Sequence, residues 1–248
     1  ERLKNVFQKD DTVVSEYIAD DGTVVKQTGL TEMFTASHGV VLTYNEMRVQ
    51  ISLYEEENMY VAYAINEEME QVELLLNEKD KIYYFTEPAL ADVKVEIAYV
   101  GEKVGLSITA GKEWNFVYNE SKGRYQYYTN QGKESDMIMA ESIGFEDRQR
   151  TFSGRGYIWS RTLPLLKKRI FLGSGPDTFL LEYPQEDYLM MYKNGFENQV
   201  MTKPHSWYLQ VGVQTGVLSL LCLLVFYGWY AVWSLRLYAF RKLSTRTE

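Results

Sequence analysis

The chain has 248 residues, 46% hydrophobic and 15% aromatic, with 26 Lys and Arg against 34 Asp and Glu for a formal net charge of −8. Its 5 Pro and 17 Gly exclude Pro-rich and collagen-like readings, and its apolar content excludes a disordered tail and suffices for one large domain or two small ones. One cysteine, Cys222, and two histidines, His38 and His205, exclude an internal disulfide and the ligand sets of zinc, haem and iron–sulfur sites, so no cofactor is expected. The first residue is Glu1 rather than Met and no signal peptide opens the chain, which reads as a piece whose beginning is missing.

Thr12 to Ile18 and Thr23 to Gln27 are β-branched runs on either side of Asp20-Asp21-Gly22, a hairpin signal. Further strands are predicted at Val40–Thr43, Met47–Leu53, Tyr60–Ile65, Ile82–Phe85, Val93–Val100, Val104–Thr109, Trp114–Tyr118 and Tyr125–Thr129. Short strands at such regular spacing, bounded by Gly, Asn, Asp or Lys pairs, point to an antiparallel sandwich. Glu67 to Asn77 stays open between strand and helix, because Met69, Val72, Leu75 and Leu76 also fit one helical face. Trp114, Phe116 and Tyr118 alternate with period two and read as the core side of a strand, the alternative being a surface that stacks on sugar rings.

After Arg148 the texture changes. Tyr157–Lys168 places Ile158, Trp159, Leu163, Leu165 and Leu166 on an apolar stripe, which suits either a helix at the membrane surface or an ordinary packing helix, bent or broken at Pro164. Arg155 lies between Gly154 and Gly156, among Arg148, Arg150, Arg161, Lys167, Lys168 and Arg169. A planar guanidinium there suits bidentate capture of phosphate or pyrophosphate, or else holds a tight turn, while the lysines suit anionic lipid. Gly173-Ser174-Gly175-Pro176-Asp177 is a turn whose amides could cradle phosphate oxygens, although it lacks the lysine and spacing of a P-loop and a plain turn is the default. His205 follows Lys203-Pro204, and an imidazole, which titrates near neutrality, can take a proton from a hydroxyl.

From Val211 to Leu235 no side chain is charged. A helix over that run is about 37 Å long, enough to cross about 30 Å of hydrocarbon, and Trp207, Tyr208, Tyr230, Trp233 and Tyr238 supply aromatic ends. The tail beyond it holds Arg236, Arg241, Lys242 and Arg246 against Glu248, which by the positive-inside rule places it in the cytoplasm and the acidic remainder outside. An acidic outer part excludes nucleic-acid binding. The fold expected is therefore mixed: a mainly antiparallel, sandwich-like β-rich extracytoplasmic domain over 1–147, a membrane-proximal helical loop over 148–210, one transmembrane α-helix over 211–235 and a basic cytoplasmic tail over 236–248.

Three segments, Ser153-Gly154-Arg155-Gly156-Tyr157-Ile158-Trp159-Ser160-Arg161, Leu172 to Phe179, and Pro204 to Gln210, together resemble bacterial O-antigen ligase and O-antigen polymerase-like integral membrane proteins. Ligases of that superfamily carry His, then Asn, Ser or Gln, nine residues and Gly. His205, Ser206 and Gly216 fit this pattern, whereas Ser219 departs from the Gly, Thr or Tyr usual at its place. The resemblance covers roughly Ser153 to Leu235 and implies a metal-independent oligosaccharide transferase. Its donor would be a glycan on undecaprenyl pyrophosphate and its acceptor a sugar hydroxyl, joined on the outer face of the bacterial cytoplasmic membrane.

Carried over by position, His205 is the base for the acceptor hydroxyl and Arg155 grips the departing pyrophosphate, with Arg161 and the Gly173 and Gly175 turn as further pyrophosphate contacts. The resemblance also implies a multi-pass complete protein, with another functional arginine upstream of Glu1, so that this piece alone is inactive. The alternative from another class is a single-pass, membrane-anchored polysaccharide-binding or sensor ectodomain without catalysis.

Overall fold

The computed structural model describes residues 15–18, 24–27, 29–57, 59–145 and 148–239. They group into a β unit, reaching residue 140 and taking in 186–197, and a helical unit of 141–185 and 198–239.

In the β unit, β1 (Ser15–Ile18) and β2 (Val24–Gln27) pair antiparallel from Ser15 opposite Gln27 to Ile18 opposite Val24, as the hairpin signal predicts. The Asp20-Asp21-Gly22 turn lies outside the described residues. A five-stranded sheet follows in simple sequence order: β3 (Leu30–Ala36), β4 (Gly39–Tyr44), β5 (Met47–Glu56), β6 (Met59–Asn66) and β7 (Gln71–Val72). The second sheet has seven strands, again in order: β8 (Leu74–Asn77), β9 (Ile82–Phe85), β10 (Lys94–Val100), β11 (Lys103–Ala110), β12 (Lys112–Asn119), β13 (Arg124–Tyr128) and β14 (Glu134–Ser135). Each neighbouring pair within these sheets is antiparallel, so each sheet is a meander built from local pairings.

The period of two decides which side chains meet. Met33, Leu42, Ile51 and Ala64 from the five-stranded sheet share one buried cluster with Val95, Leu106, Ile108, Trp114 and Phe116 from the seven-stranded one. That shared cluster makes the unit a two-layer sandwich. Burying an aromatic side chain such as Phe116 contributes about 1.5–3 kcal/mol, so these inward rings carry much of the unit's stability. Trp114 and Phe116 belong to this core as expected, but Tyr118 does not: on the same face of β12 it reaches beyond the core and is 43% exposed. Glu67–Asn77 forms no helix: a turn over 67–69 leads into the short strands β7 and β8, with Met69, Leu75 and Leu76 exposed and Val72 alone of the four apolar side chains buried.

The helical unit opens with α1 (Arg155–Lys168), which buries Tyr157, Ile158, Arg161, Pro164 and Leu165 and is thus a packing helix. It does not break at Pro164. The ring removes the N–H that would bond the Ser160 carbonyl, and the Ile143 N–H fills that position at 3.0 Å. After α2 (Phe179–Glu182) the chain passes to the β unit, where α3 (Tyr188–Lys193) sets Tyr188 against Tyr127 at 4.9 Å and Tyr192 edge-on to Trp114 at 5.5 Å. Residues 186–197 therefore leave the helical loop in which the sequence had placed them. Burial, with the nearby Tyr188 and Glu197, pushes the Tyr127 hydroxyl up to about 12, as an aromatic core position would.

The expected single apolar helix over 211–235 is two helices. α4 (Trp207–Thr215) ends at Gly216, and α5 (Val217–Ala239) turns back along it. Trp207 near the start of α4 meets Tyr227 of α5 at 6.2 Å, and Leu220 lies 3.2 Å from where a Cβ on Gly212 would be. Contacts spaced evenly on both sides of Gly216 describe a helical hairpin. α5 is apolar on all its faces and almost wholly exposed, and Val217–Tyr238 has the length and composition of a membrane-crossing helix. At nine residues α4 is too short for that.

Candidate functional site

Arg155 is the first residue of α1, and the backbone before it is unusual. Phe152, Ser153 and Gly154 have φ of 54°, 60° and 83°, three left-handed residues in succession. This coil lets the chain fold back so that the Gly156 N–H reaches the Thr151 carbonyl (3.1 Å) and the Tyr157 N–H the Gln149 carbonyl (2.8 Å). A Cβ on Gly156 would sit 2.5 Å from the Arg148 carbonyl oxygen, so no larger residue fits beneath the turn. The result is a guanidinium projected outward from a rigid corner. Arg155 is exposed, and among the described residues no carboxylate pairs with it.

The other cations differ. Lys167 pairs with Glu141 at 3.4 Å and Arg169 with Glu182 at 2.5 Å. Arg161 is only 3% exposed, its guanidinium 4.6 Å from the Tyr157 ring and donating to Ser160 Oγ at 2.9 Å. Its side chain is therefore desolvated, with the Tyr157 ring face and the Ser160 hydroxyl beside it, in contrast to the exposed Arg155.

His205 precedes Ser206, the N-cap of α4, whose Oγ accepts from the Leu209 N–H at 3.5 Å. With φ of 51° His205 is itself left-handed, and its side chain is exposed. Pro204 is buried, and its carbonyl accepts from Trp159 Nε1 at 2.8 Å. Trp159 lies four residues after Arg155, so the two share one face of α1 with neighbouring side chains. One indole thus links the corner that carries Arg155 to the turn that carries His205. Phe145 and Phe152 flank it at 5.8 and 5.6 Å, making an aromatic floor between the two polar residues. The sequence pattern placed Trp159 only on an apolar stripe; its i+4 relation to Arg155 is the signal that could have shown its linking role.

Gly173 and Gly175 do not join this group. The Ser174 and Gly175 N–H groups donate to the Val213 and Gln214 carbonyls at 2.9 and 3.0 Å. They cap the C-terminal end of α4, about 13 Å from its His205 end. A Cβ on Gly173 would lie inside the Gln214–Thr215 peptide, so the turn must be glycine to approach the helix end so closely. The Ser174 and Gly175 amides thus serve the helix end, as a plain turn would have them. The same segment closes the other half of the hairpin, where the Val217 and Leu218 N–H groups donate to the Arg169 and Ile170 carbonyls, both at 3.0 Å. The contact of Trp207 with Tyr227 holds the end of α4 that follows His205 against α5.

Residues 106–224 match the family model for O-antigen ligase. Over that segment the chain is similar to O-antigen ligases. The matched segment begins in β11, well before Ser153, and so takes in much of the seven-stranded sheet as well as α1 to α4 and the start of α5. No curated protein and no solved structure matches the chain.

Proposed function

We propose that the helical unit forms part of the outer-face catalytic site of a membrane glycan ligase or polymerase that draws its donor from undecaprenyl pyrophosphate. His205 takes the proton from an acceptor sugar hydroxyl as that oxygen bonds to the anomeric carbon of the donor glycan. The bond from that carbon to the pyrophosphate oxygen breaks, and the carrier leaves as its pyrophosphate. Arg155 contacts two of its oxygens in a forked geometry and offsets the charge that develops as it departs. α5 crosses the membrane, with the bulk of the chain outside and the basic end inside. Catalysis in this scheme uses no metal, because the guanidinium supplies the positive charge.

The single observation that carries this reading is the hydrogen bond from Trp159 Nε1 to the Pro204 carbonyl, which ties the exposed Arg155 corner to the exposed His205 turn. The O-antigen ligase match over 106–224 supplies the reaction class.

The test is glycan transfer by the complete gene product in membranes. His205→Ala and Arg155→Ala each lower transfer by about a hundredfold or more with expression unchanged. Arg155→Lys fails as well, because an ammonium lacks the forked contact. Near-normal transfer by His205→Ala removes the base assignment, and full activity of Arg155→Lys reduces Arg155 to a point charge.

A further inference from the structure

We propose that the β unit carries a saccharide-binding cleft of its own, between the rims of its two sheets. The cleft has a volume of about 750 Å³, within the range of small-molecule sites. Its walls are tyrosines from both layers: Tyr60 and Tyr63 on β6, and Tyr118 and Tyr125 on β12 and β13. Tyr60 and Tyr118 are 46% and 43% exposed, although apolar ring faces are ordinarily turned inward. The Tyr118 ring is braced from behind. Tyr118 stands edge-on to Tyr125 at 5.4 Å, and the Tyr125 hydroxyl accepts from the Leu53 N–H at 2.9 Å, which links the two sheets.

The chemistry of the lining selects the ligand. One cation, Lys103, and one acid, Glu120, leave the cleft without a dominant charge. Lys103 is further neutralised by Glu134 at 2.5 Å, and its hydrogen bond holds the Glu134 carboxyl below its usual range. A phosphate or nucleotide would find no concentrated positive charge there. What remains is two aromatic faces, tyrosine hydroxyls, and the exposed His38 and Glu120 as hydrogen-bonding groups. This combination fits a neutral or weakly charged sugar, whose C–H faces lie on aromatic rings while its hydroxyls take the polar rim. The choice of the bacterium's own surface glycan as that sugar rests on the transfer reading above; the preference for sugar rings does not.

The experiment uses the full chain in detergent and, as probe, the oligosaccharides that mild acid releases from the producing bacterium's surface polysaccharide, with binding measured by thermophoresis. Saturable binding is expected. Tyr60→Leu and Tyr118→Leu each weaken it about fivefold or more, while Tyr60→Phe and Tyr118→Phe keep most of it. Absence of saturable binding, or equal binding by the Leu variants, overturns the proposal. The Phe variants, which keep each ring and, at Tyr118, its packing on Tyr125, separate lost stacking from lost fold. Binding that persists while transfer survives His205→Ala sinks the catalytic reading and leaves the cleft standing. Loss of transfer in His205→Ala without any oligosaccharide binding does the reverse.

Discussion

Gly216→Ala tests whether the reversal between α4 and α5 is a built feature of the fold. Gly216 has φ 98° and ψ 157°, a region that L-residues enter at a cost of about 1–3 kcal/mol. A Cβ there would also stand 2.7 Å from the Phe171 carbonyl oxygen and 3.0 Å from its carbon, both backbone atoms that cannot swing aside. Relief requires the 169–175 segment to retreat, which strains the four hydrogen bonds that bind it to Val213, Gln214, Val217 and Leu218. Each contributes about 1 kcal/mol, so losing one or two beside the dihedral cost gives a total of about 2–5 kcal/mol. The control is Gly228→Ala in α5, where an added Cβ meets nothing within 4 Å and alanine is the better helix former. Reversible unfolding of the detergent-solubilised chain, followed by tryptophan fluorescence, measures both. The reasoning is refuted if Gly216→Ala proves no less stable than Gly228→Ala.

Two further substitutions probe the contacts around the candidate sites. Trp159→Phe keeps a ring between Phe145 and Phe152 but leaves the buried Pro204 carbonyl without its donor, so stability falls by about 1–3 kcal/mol in a denaturation series. In the transfer assay the same variant lowers kcat while KM for acceptor stays within about twofold, because a positioning residue moves His205 rather than the sugar; a change in KM alone contradicts this. Glu134, held below its usual range chiefly by the hydrogen bond from Lys103, adds stability that is present above the ordinary carboxylate value of 4.5 and disappears as pH falls through the depressed one. Glu134→Gln therefore loses less stability than the parent chain between pH 5 and pH 3, by no more than about 1 kcal/mol for so exposed a pair, and identical acid limbs would contradict the assignment.

The sandwich was legible because alternation is a direct imprint of a half-buried strand. Ile82–Phe85 is predicted and found with the same limits, and the other predicted strands among the described residues shift by only a few residues at their ends. β3 escaped notice because Glu32 and Thr35 interrupt its apolar run, and only tertiary contact explains them: Glu32 accepts from Thr43 Oγ1 at 3.1 Å, and Thr35 Oγ1 bonds to Met137. α3 was unreadable as part of the β unit for a related reason. Its partners Tyr127 and Trp114 are some 60 to 80 residues away in the chain, beyond the reach of any local pattern.

Hydropathy counts side chains and is blind to backbone, which is why 25 uncharged residues read as one helix although the chain reverses inside them. The residue responsible was nevertheless in view. Gly216 closes the spacing that begins at His205, and the nine residues between Ser206 and Gly216 are α4 itself, from N-cap to the turn that ends it. The spacing is thus the length of a helix: it fixes how far the imidazole stands from the reversal and, through the hairpin, which part of α5 lies beside it. Turn amides deceive in the opposite direction. Composition shows that Gly173 to Gly175 has N–H groups to offer, but not that carbonyls at the end of α4 take those of Ser174 and Gly175 first. Among the arginines, likewise, charge alone could not separate Arg155 from Arg161; what divides them is a corner that projects one and a tyrosine ring and hydroxyl that enclose the other.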